Sequence, residues 1–333
     1  MLVDLFGPLS LMNAAAASAD AEALGFDGIW STENRNDVFL SLVEASRATT
    51  RVCVGSGVAI AFARTPMTVA YAAHDLQVFS GGRLLLGLGS QVRAHITRRF
   101  SMPWSAPAPR MREFVNALQS IWSSWNDETT LRVTGEHYNH TLMNANFAPE
   151  PSPYGPPPVY LAGVGPAMTR VAGEVADGFI AHPFTTESYL RNVTMSNLGE
   201  GAALSVRSLP AVVLTPLVAT GANEIDLAAA LAAARRRIGF YGSTPAYRPV
   251  LEHHGMGDLQ PRLDELVRAG RWDDLDALVP EELVREMVAA GEPAHVAALL
   301  RRRFGGIASR VGLNMQTEAS PDVVAMLVTA LRA

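Results

Sequence analysis

Short apolar runs alternate along this chain with longer stretches whose apolar residues recur at helical spacing. Residues 2–6 read as a strand, followed by an Ala-rich helix from about Met12 to Leu24 with Gly25 at its C-terminal cap position. Residues 26–31 form the second strand, and Asp37 is placed to cap the helix that begins VFLSLVEASRATT. The third strand, 52–62, is apolar and β-branched but carries Gly55 and Gly57, which weaken a strand unless a bulge or a close approach needs them. A helix from near Met67 ends at Gly81-Gly82, and 83–89 is the fourth strand. Strands and helices joined by short links predict parallel strands with helical crossovers.

Residues 92–109 break the rhythm, and 111–125 then supply the fourth helix. A second excursion, 129–158, holds the hairpin-like LRVTGEHYNHTL and a proline-rich approach to the next strand. Regularity returns with strands at 159–164, 178–183 and 211–220 and a helix at 224–241. A third excursion, 242–291, precedes a helix at 292–304, a last strand at 309–315 and a closing helix at 321–331. Eight strands counted this way predict one α/β domain over 1–333: a closed (β/α)8 TIM barrel with insertions after strand 4, before strand 5 and before strand 8. Long excursions in such a domain carry function.

Composition narrows the chemistry. With 48% hydrophobic and 18% charged residues the chain has material for a large core. No apolar run reaches the roughly 18 residues of a membrane span, and no basic segment precedes an apolar one at the N-terminus. A soluble, cytoplasmic protein with no membrane partner is expected. Cys53 is the only cysteine, which excludes an intrachain disulfide, and its apolar strand suggests a buried thiol rather than a nucleophile. All 27 basic residues are arginine. Without lysine there is no Schiff base to a cofactor or substrate and no ordinary phosphate-loop lysine. A net charge of −5 argues against nucleic acid as a partner.

In a barrel the ligand lies at the C-terminal strand ends. This chain offers Ser31-Thr32-Glu33-Asn34, Val58 with Ala59, Ile60 and Ala61, Ser90-Gln91, Ala162-Gly163-Val164-Gly165 and His182-Pro183. These are mostly small and neutral, which suits backbone approach to a flat cofactor better than a metal cluster. Gly163-Val164-Gly165-Pro166 opens a helix N-terminus toward a phosphate, or is a tight strand-to-helix turn without one. Arg93, Arg98, Arg99, Arg110 and Arg112 lie close together with no acid between them, so the stretch is either a solvated face or the site of an anionic partner. Glu33 is placed to act as a general acid or base, or to cap the loop that follows. His182 and His95 stand near the mouth, His74 reads as structural and Trp30 as core. His137 and His140, and His253 with His254, have no further ligand pattern around them, so no metal is expected.

Four stretches, LGFDGIWSTEN, GSGVAIAFARTPMTVAYAAHDLQVFSGGRLLLGLGSQ, RRFSMPWSAPAPRMREFVNALQSIWSSW and VYLAGVGPAMTRVAGEVADGFIAHPF, together resemble the luciferase-like monooxygenase superfamily. Within it the chain looks most like the coenzyme F420-dependent oxidoreductases, over nearly its whole length. The resemblance implies a flavin or deazaflavin across the strand ends and a non-proline cis peptide in strand three near Val58-Ala59. It implies ring contacts at Val58, Ala59 and Ala61, and tail or phosphate contacts from Ser90, Gln91 and the turn Ala162, Gly163, Val164 and Gly165. His95 and Arg98 would meet the anionic tail of F420, and Glu33, Asn34 and His182 are the catalytic candidates. The implied activity is hydride transfer between F420 and a small organic substrate. An FMN-dependent monooxygenase and a non-catalytic flavin-binding protein are the alternatives. The stretch LRNVTMSNLGEGAALSVRSL is shorter and less regular than the family's sixth helix, and the His and Glu pair of the branch's sugar-phosphate dehydrogenases is missing. Sugar-phosphate oxidation is therefore not expected. The resemblance also leaves a homodimer open.

Overall fold

The computed structural model describes residues 1–127 and 129–333. Eight parallel strands, Leu2–Gly7, Gly28–Ser31, Cys53–Ser56, Leu84–Gly89, Val159–Gly163, Gly178–Ala181, Ala211–Leu214 and Arg310–Met315, pair in that order. The eighth returns to the first, Leu2 opposite Arg310 and Leu5 opposite Leu313. The sheet is closed and helices surround it: this is the (β/α)8 barrel that the alternation predicts.

Local chemistry sets the helix starts. Asp37 accepts the Phe39 N–H at 2.9 Å ahead of helix Val38–Ala48. Thr65 and Thr68 form a reciprocal capping box with Pro66 in the first turn of Pro66–Phe79. The fourth strand, LLLGLG, is buried along its length, as a parallel strand covered on both faces must be.

The barrel interior is filled rather than open. Trp30 is fully buried, its ring stacked on Phe6 at 5.2 Å and met edge-on by Tyr160 at 5.5 Å. A Cβ at Gly55 would stand 2.5 Å from the indole, so glycine is what lets the tryptophan lie flat against the third strand. Nearer the N-terminal end, the Trp30 indole N–H donates to Asp4 at 2.8 Å, and Arg310 donates to both Asp4 oxygens at 2.6 and 2.8 Å. Burial pushes the Asp4 carboxyl up while these donors pull it back.

Six sequence expectations are corrected. The third strand stops at Ser56, resumes as Ala59–Ile60 and turns into a 3-10 segment, Ala61–Ala63. The cis peptide is Gly57-Val58, one bond earlier than expected. A Cβ on Gly57 would lie 2.6 Å from the Phe6 ring, so a larger residue there would have to displace that ring. The seventh strand breaks at Thr215-Pro216, where proline offers no N–H to the ladder, and resumes as Leu217–Ala219. That piece pairs with the end of the eighth strand and with Val288–Ala290, a strand within what reads as a helical excursion.

The stretch that reads as irregular after strand six is a helical run, Glu187–Tyr189, a π-turn Leu190–Thr194 and Met195–Leu204. It lies against Pro166–Val175 at a glycine contact: a Cβ on Gly201 would come within 1.9 Å of the Arg170 carbonyl oxygen, and one on Gly173 within 2.2 Å of that of Leu198. Cys53 is half-buried rather than buried. Among the described residues, no helix is long and apolar enough to cross a membrane.

Candidate active site

Register brings six strand ends into one arc at the C-terminal mouth. The Thr32 N–H donates to Gly7 and the Gly57 N–H to Ser31. Ile60 lies opposite Gly89, Leu88 opposite Leu161, and Gly163 opposite Ala181. Gly7, Thr32, Gly57-Val58, Ser90, the 162–165 turn and His182 therefore follow one another around the rim.

Val58 leans across the fourth strand, where a Cβ on Gly89 would be 2.6 Å from its Cγ2. Val58 is half-buried and open to a ligand, whereas Ala59 and Ala61 have no exposed surface. The side chains of those two are enclosed by protein, so only Val58 among the three offers side-chain surface. Ser90 donates to the Gln91 carbonyl, and Gln91 turns back in the left-handed region at φ 59°, its side-chain oxygen accepting the Val92 N–H.

Ala162, Gly163, Val164 and Gly165 are all half-buried. Gly165 is the N-cap of Pro166–Val175, with no side chain capping the helix. Pro166 has no N–H, and the Thr169 N–H is taken by the Gly165 carbonyl. The Ala167 and Met168 N–H groups of the first turn point out of a helix N-terminus, where a phosphate is favoured. A Cβ on Gly165 would meet nothing within 4 Å, which leaves open space at the turn. The turn and the neutral arc beside it fit a flat, phosphate-bearing cofactor.

Glu33 is less available than its position suggests. Its carboxylate accepts the Ile60 N–H at 2.6 Å and both Arg64 NH groups, at 2.7 and 2.5 Å. Arg64 also reaches Asp37 at 2.7 Å and stands over the Phe39 ring. The clamp holds the backbone beyond the third strand against the loop beyond the second. Asn34 is exposed, and its carbonyl accepts Arg99 at 2.6 Å.

His182 sits just past the sixth strand. Its Nδ1 accepts the Phe184 N–H at 3.1 Å, so in the neutral ring the proton is on Nε2. Enclosure by Tyr247 at 4.3 Å and Tyr241 at 4.8 Å goes with a pKa pushed down to about 3 by burial. The residue as a whole is half-buried.

The arginine stretch divides. Arg93, His95 and Arg98 are exposed on the short helix Arg93–Arg98. Arg110 is buried, bonded to the Tyr138 hydroxyl and stacked on Phe62, and Arg112 is paired with Glu174 at 2.7 Å. The five do not form one unpartnered cluster, because folding brings partners from distant sequence to three of them, Arg99, Arg110 and Arg112. Glu136 and His137 of the second excursion lie with Glu113 of the helix before it, so that one ligand atom from each falls within 4.8 Å of the others. Glu136 is the sequence neighbour of His137, whereas Glu113 comes from 24 positions earlier and is not visible in the local sequence. The Glu113 oxygens already accept the N–H groups of Glu136, His137 and Tyr138.

Three residues of the site escaped the sequence reading. Nothing in the spacing pairs Arg64 with Glu33, although it lies in the TP-rich loop after the third strand. Tyr241 and Tyr247 flank the turn GSTPA, and aromatic residues bordering a polar turn were the available signal.

A family model described as luciferase-like monooxygenase matches residues 7–309. A Mycobacterium tuberculosis protein described as uncharacterized is 48% identical over 306 residues, covering 91% of this chain and 90% of that protein. A putative coenzyme F420-dependent oxidoreductase of the same organism is 27% identical, with 85% of each chain covered. Among solved structures, the coenzyme F420-dependent tetrahydromethanopterin reductase from Methanopyrus kandleri superposes with a TM-score of 0.77 at 19% identity, over 98% of this chain and 96% of that one.

Proposed function

From the fact that this chain belongs to the luciferase-like monooxygenase family, we propose that it is an oxidoreductase that transfers a hydride between coenzyme F420 and a small organic substrate. The observation that carries this reading is the state of the two titratable groups at the mouth. Glu33 is consumed by Arg64 and the Ile60 N–H, and His182 is held neutral. Neither is free to run acid–base chemistry by itself, so the reaction is left to a bound cofactor, with the protein supplying orientation and electrostatics.

The deazaflavin, when bound, supplies the hydride donor or acceptor. Val58 and the backbone around it form the surface for its ring. Ser90, Gln91 and the 162–165 turn take the tail, with the Ala167 and Met168 N–H groups favouring its phosphate. His95, Arg93 and Arg98, exposed beside Gln91, suit the anionic remainder of the F420 tail. The relative described as a putative F420-dependent oxidoreductase supports the same choice.

The family's description favours a second reading, an FMN-dependent monooxygenase on the same arc. The two separate by their need for oxygen, the F420 arm being run anaerobically and the FMN arm in air. Change in F420 absorbance on mixing with a substrate panel supports hydride transfer, while oxygen consumption coupled to reduced FMN with no F420 turnover overturns it. F420 bound without any turnover would leave a non-catalytic flavin-binding protein.

A further inference from the structure

Three rings converge beside the cofactor arc from parts of the chain far apart in sequence. His182 follows the sixth strand, Tyr241 ends the long helix Glu224–Gly242, and Tyr247 ends the 3-10 turn Pro245–Tyr247. Their centroids form a triangle of 4.3, 4.8 and 6.4 Å. Val164, from the fifth-strand turn, borders the same apolar cluster as the two tyrosines, so the triangle is continuous with the mouth. All three residues are half-buried, and each ring carries a polar group.

We propose that His182, Tyr241 and Tyr247 form the substrate-selecting wall of this site, taking an uncharged substrate by its carbonyl or hydroxyl oxygen and turning away carboxylates and phosphates. The assignment rests on the function proposed above and names its substrate class.

The wall's chemistry is that of neutral hydrogen-bond donors on apolar rings. With Nδ1 spent on Phe184, His182 presents Nε2–H. Burial keeps both phenols protonated, Tyr247 being pushed up to about 12 and Tyr241 in the same direction. At the Tyr241 end stands Arg237, exposed, with its guanidinium carbon 5.8 Å from the ring centre, and its charge and hydrogen bond pull against the effect of burial on that phenol. An anion between His182 and Tyr247 would lose its water with only the solvent-exposed Arg237 at the far ring to offset its charge, whereas a carbonyl oxygen exchanges water for N–H and O–H donors. Aromatic faces with a few placed polar groups are the usual make-up of a small-molecule pocket.

The test compares matched probes by ligand-observed NMR titration: cyclohexanone with cyclohexanecarboxylate, and acetophenone with benzoate. Each is added to the purified protein with and without F420, for wild type, Tyr247→Phe and His182→Phe. The ketones are expected to bind at least tenfold more tightly than the carboxylates. Tyr247→Phe, which keeps the ring, should weaken the ketones about fivefold or more and leave F420 affinity unchanged. Should His182→Phe misfold, Tyr247→Phe alone decides. Carboxylates binding as well as ketones, ketone affinity indifferent to Tyr247→Phe, or no probe binding would each overturn the assignment. Failure of F420 to bind wild type would overturn the proposed function instead, and the probe comparison on the cofactor-free protein would still judge the wall.

Discussion

Arg64 closes on both oxygens of Glu33, at 2.5 and 2.7 Å, across the gap between the second and third strand ends. The pair is largely shielded from solvent, with side-chain exposures of 17% and 7%. It gives Glu33 a positioning role: it fixes the loop that carries Val58 and Ile60. Glu33→Gln is expected to destabilise the fold by about 2–3 kcal/mol, below the loss for a fully buried pair because Arg64 keeps Asp37. Turnover per folded molecule should fall less than about tenfold. Denaturant unfolding and steady-state rates on one preparation check this, and a loss of a thousandfold or more with unchanged stability would return Glu33 to the acid–base role.

Asp4 and Arg310 form the corresponding clamp at the opposite end of the barrel, where it is nearly solvent-free at 0% and 8% side-chain exposure. Removing one partner leaves the other buried and unpaired. Arg310→Met is expected to cost about 3–5 kcal/mol, read from the shift in the urea midpoint. F420 affinity of the folded fraction should stay as in wild type.

His182 makes stability depend on pH on the acid side. Its pKa in the fold is about 3, below the 6.5 of a free imidazole, so between those values the unfolded chain binds a proton that the native state refuses. The contribution is complete above pH 6.5 and is lost as pH falls toward 3, at up to about 1.4 kcal/mol per pH unit. Thermal unfolding between pH 7 and 4.5 should show a steeper decline for wild type than for His182→Phe. Parallel curves would contradict the neutral, enclosed ring.

The glycine contact between Pro166–Val175 and Met195–Leu204 leaves no room for a methyl group. Gly201→Ala is expected to destabilise by about 1–3 kcal/mol, since the added carbon has only backbone to displace. A melting temperature within a degree of wild type would show that these helices separate more easily than their packing implies.

The barrel was legible because each strand is a short apolar run and each helix carries its own start signal, as Asp37 and Thr65 show. The mouth was legible too, because strand ends follow from strands. What local sequence cannot show is who meets whom across the barrel. Glu33 looks like a free carboxylate until Arg64 arrives from 31 positions on. Arg112 looks uncompensated until Glu174 pairs with it, and His182 looks like a base until Tyr241 and Tyr247 enclose it. The break in the seventh strand was signalled by Pro216. The π-turn at Leu190–Thr194 had no comparable mark.

The proposed binding of F420 along the arc from Val58 to Gly165 is tested most directly by a paired binding titration. Protein is titrated separately with F420 and with FMN, followed by cofactor fluorescence, for wild type and Arg98→Glu. F420 is expected to bind at least tenfold more tightly than FMN, and charge reversal at Arg98 should weaken F420 about tenfold while changing FMN much less. Tighter binding of FMN, or F420 affinity unmoved by Arg98→Glu together with no preference over FMN, would contradict it.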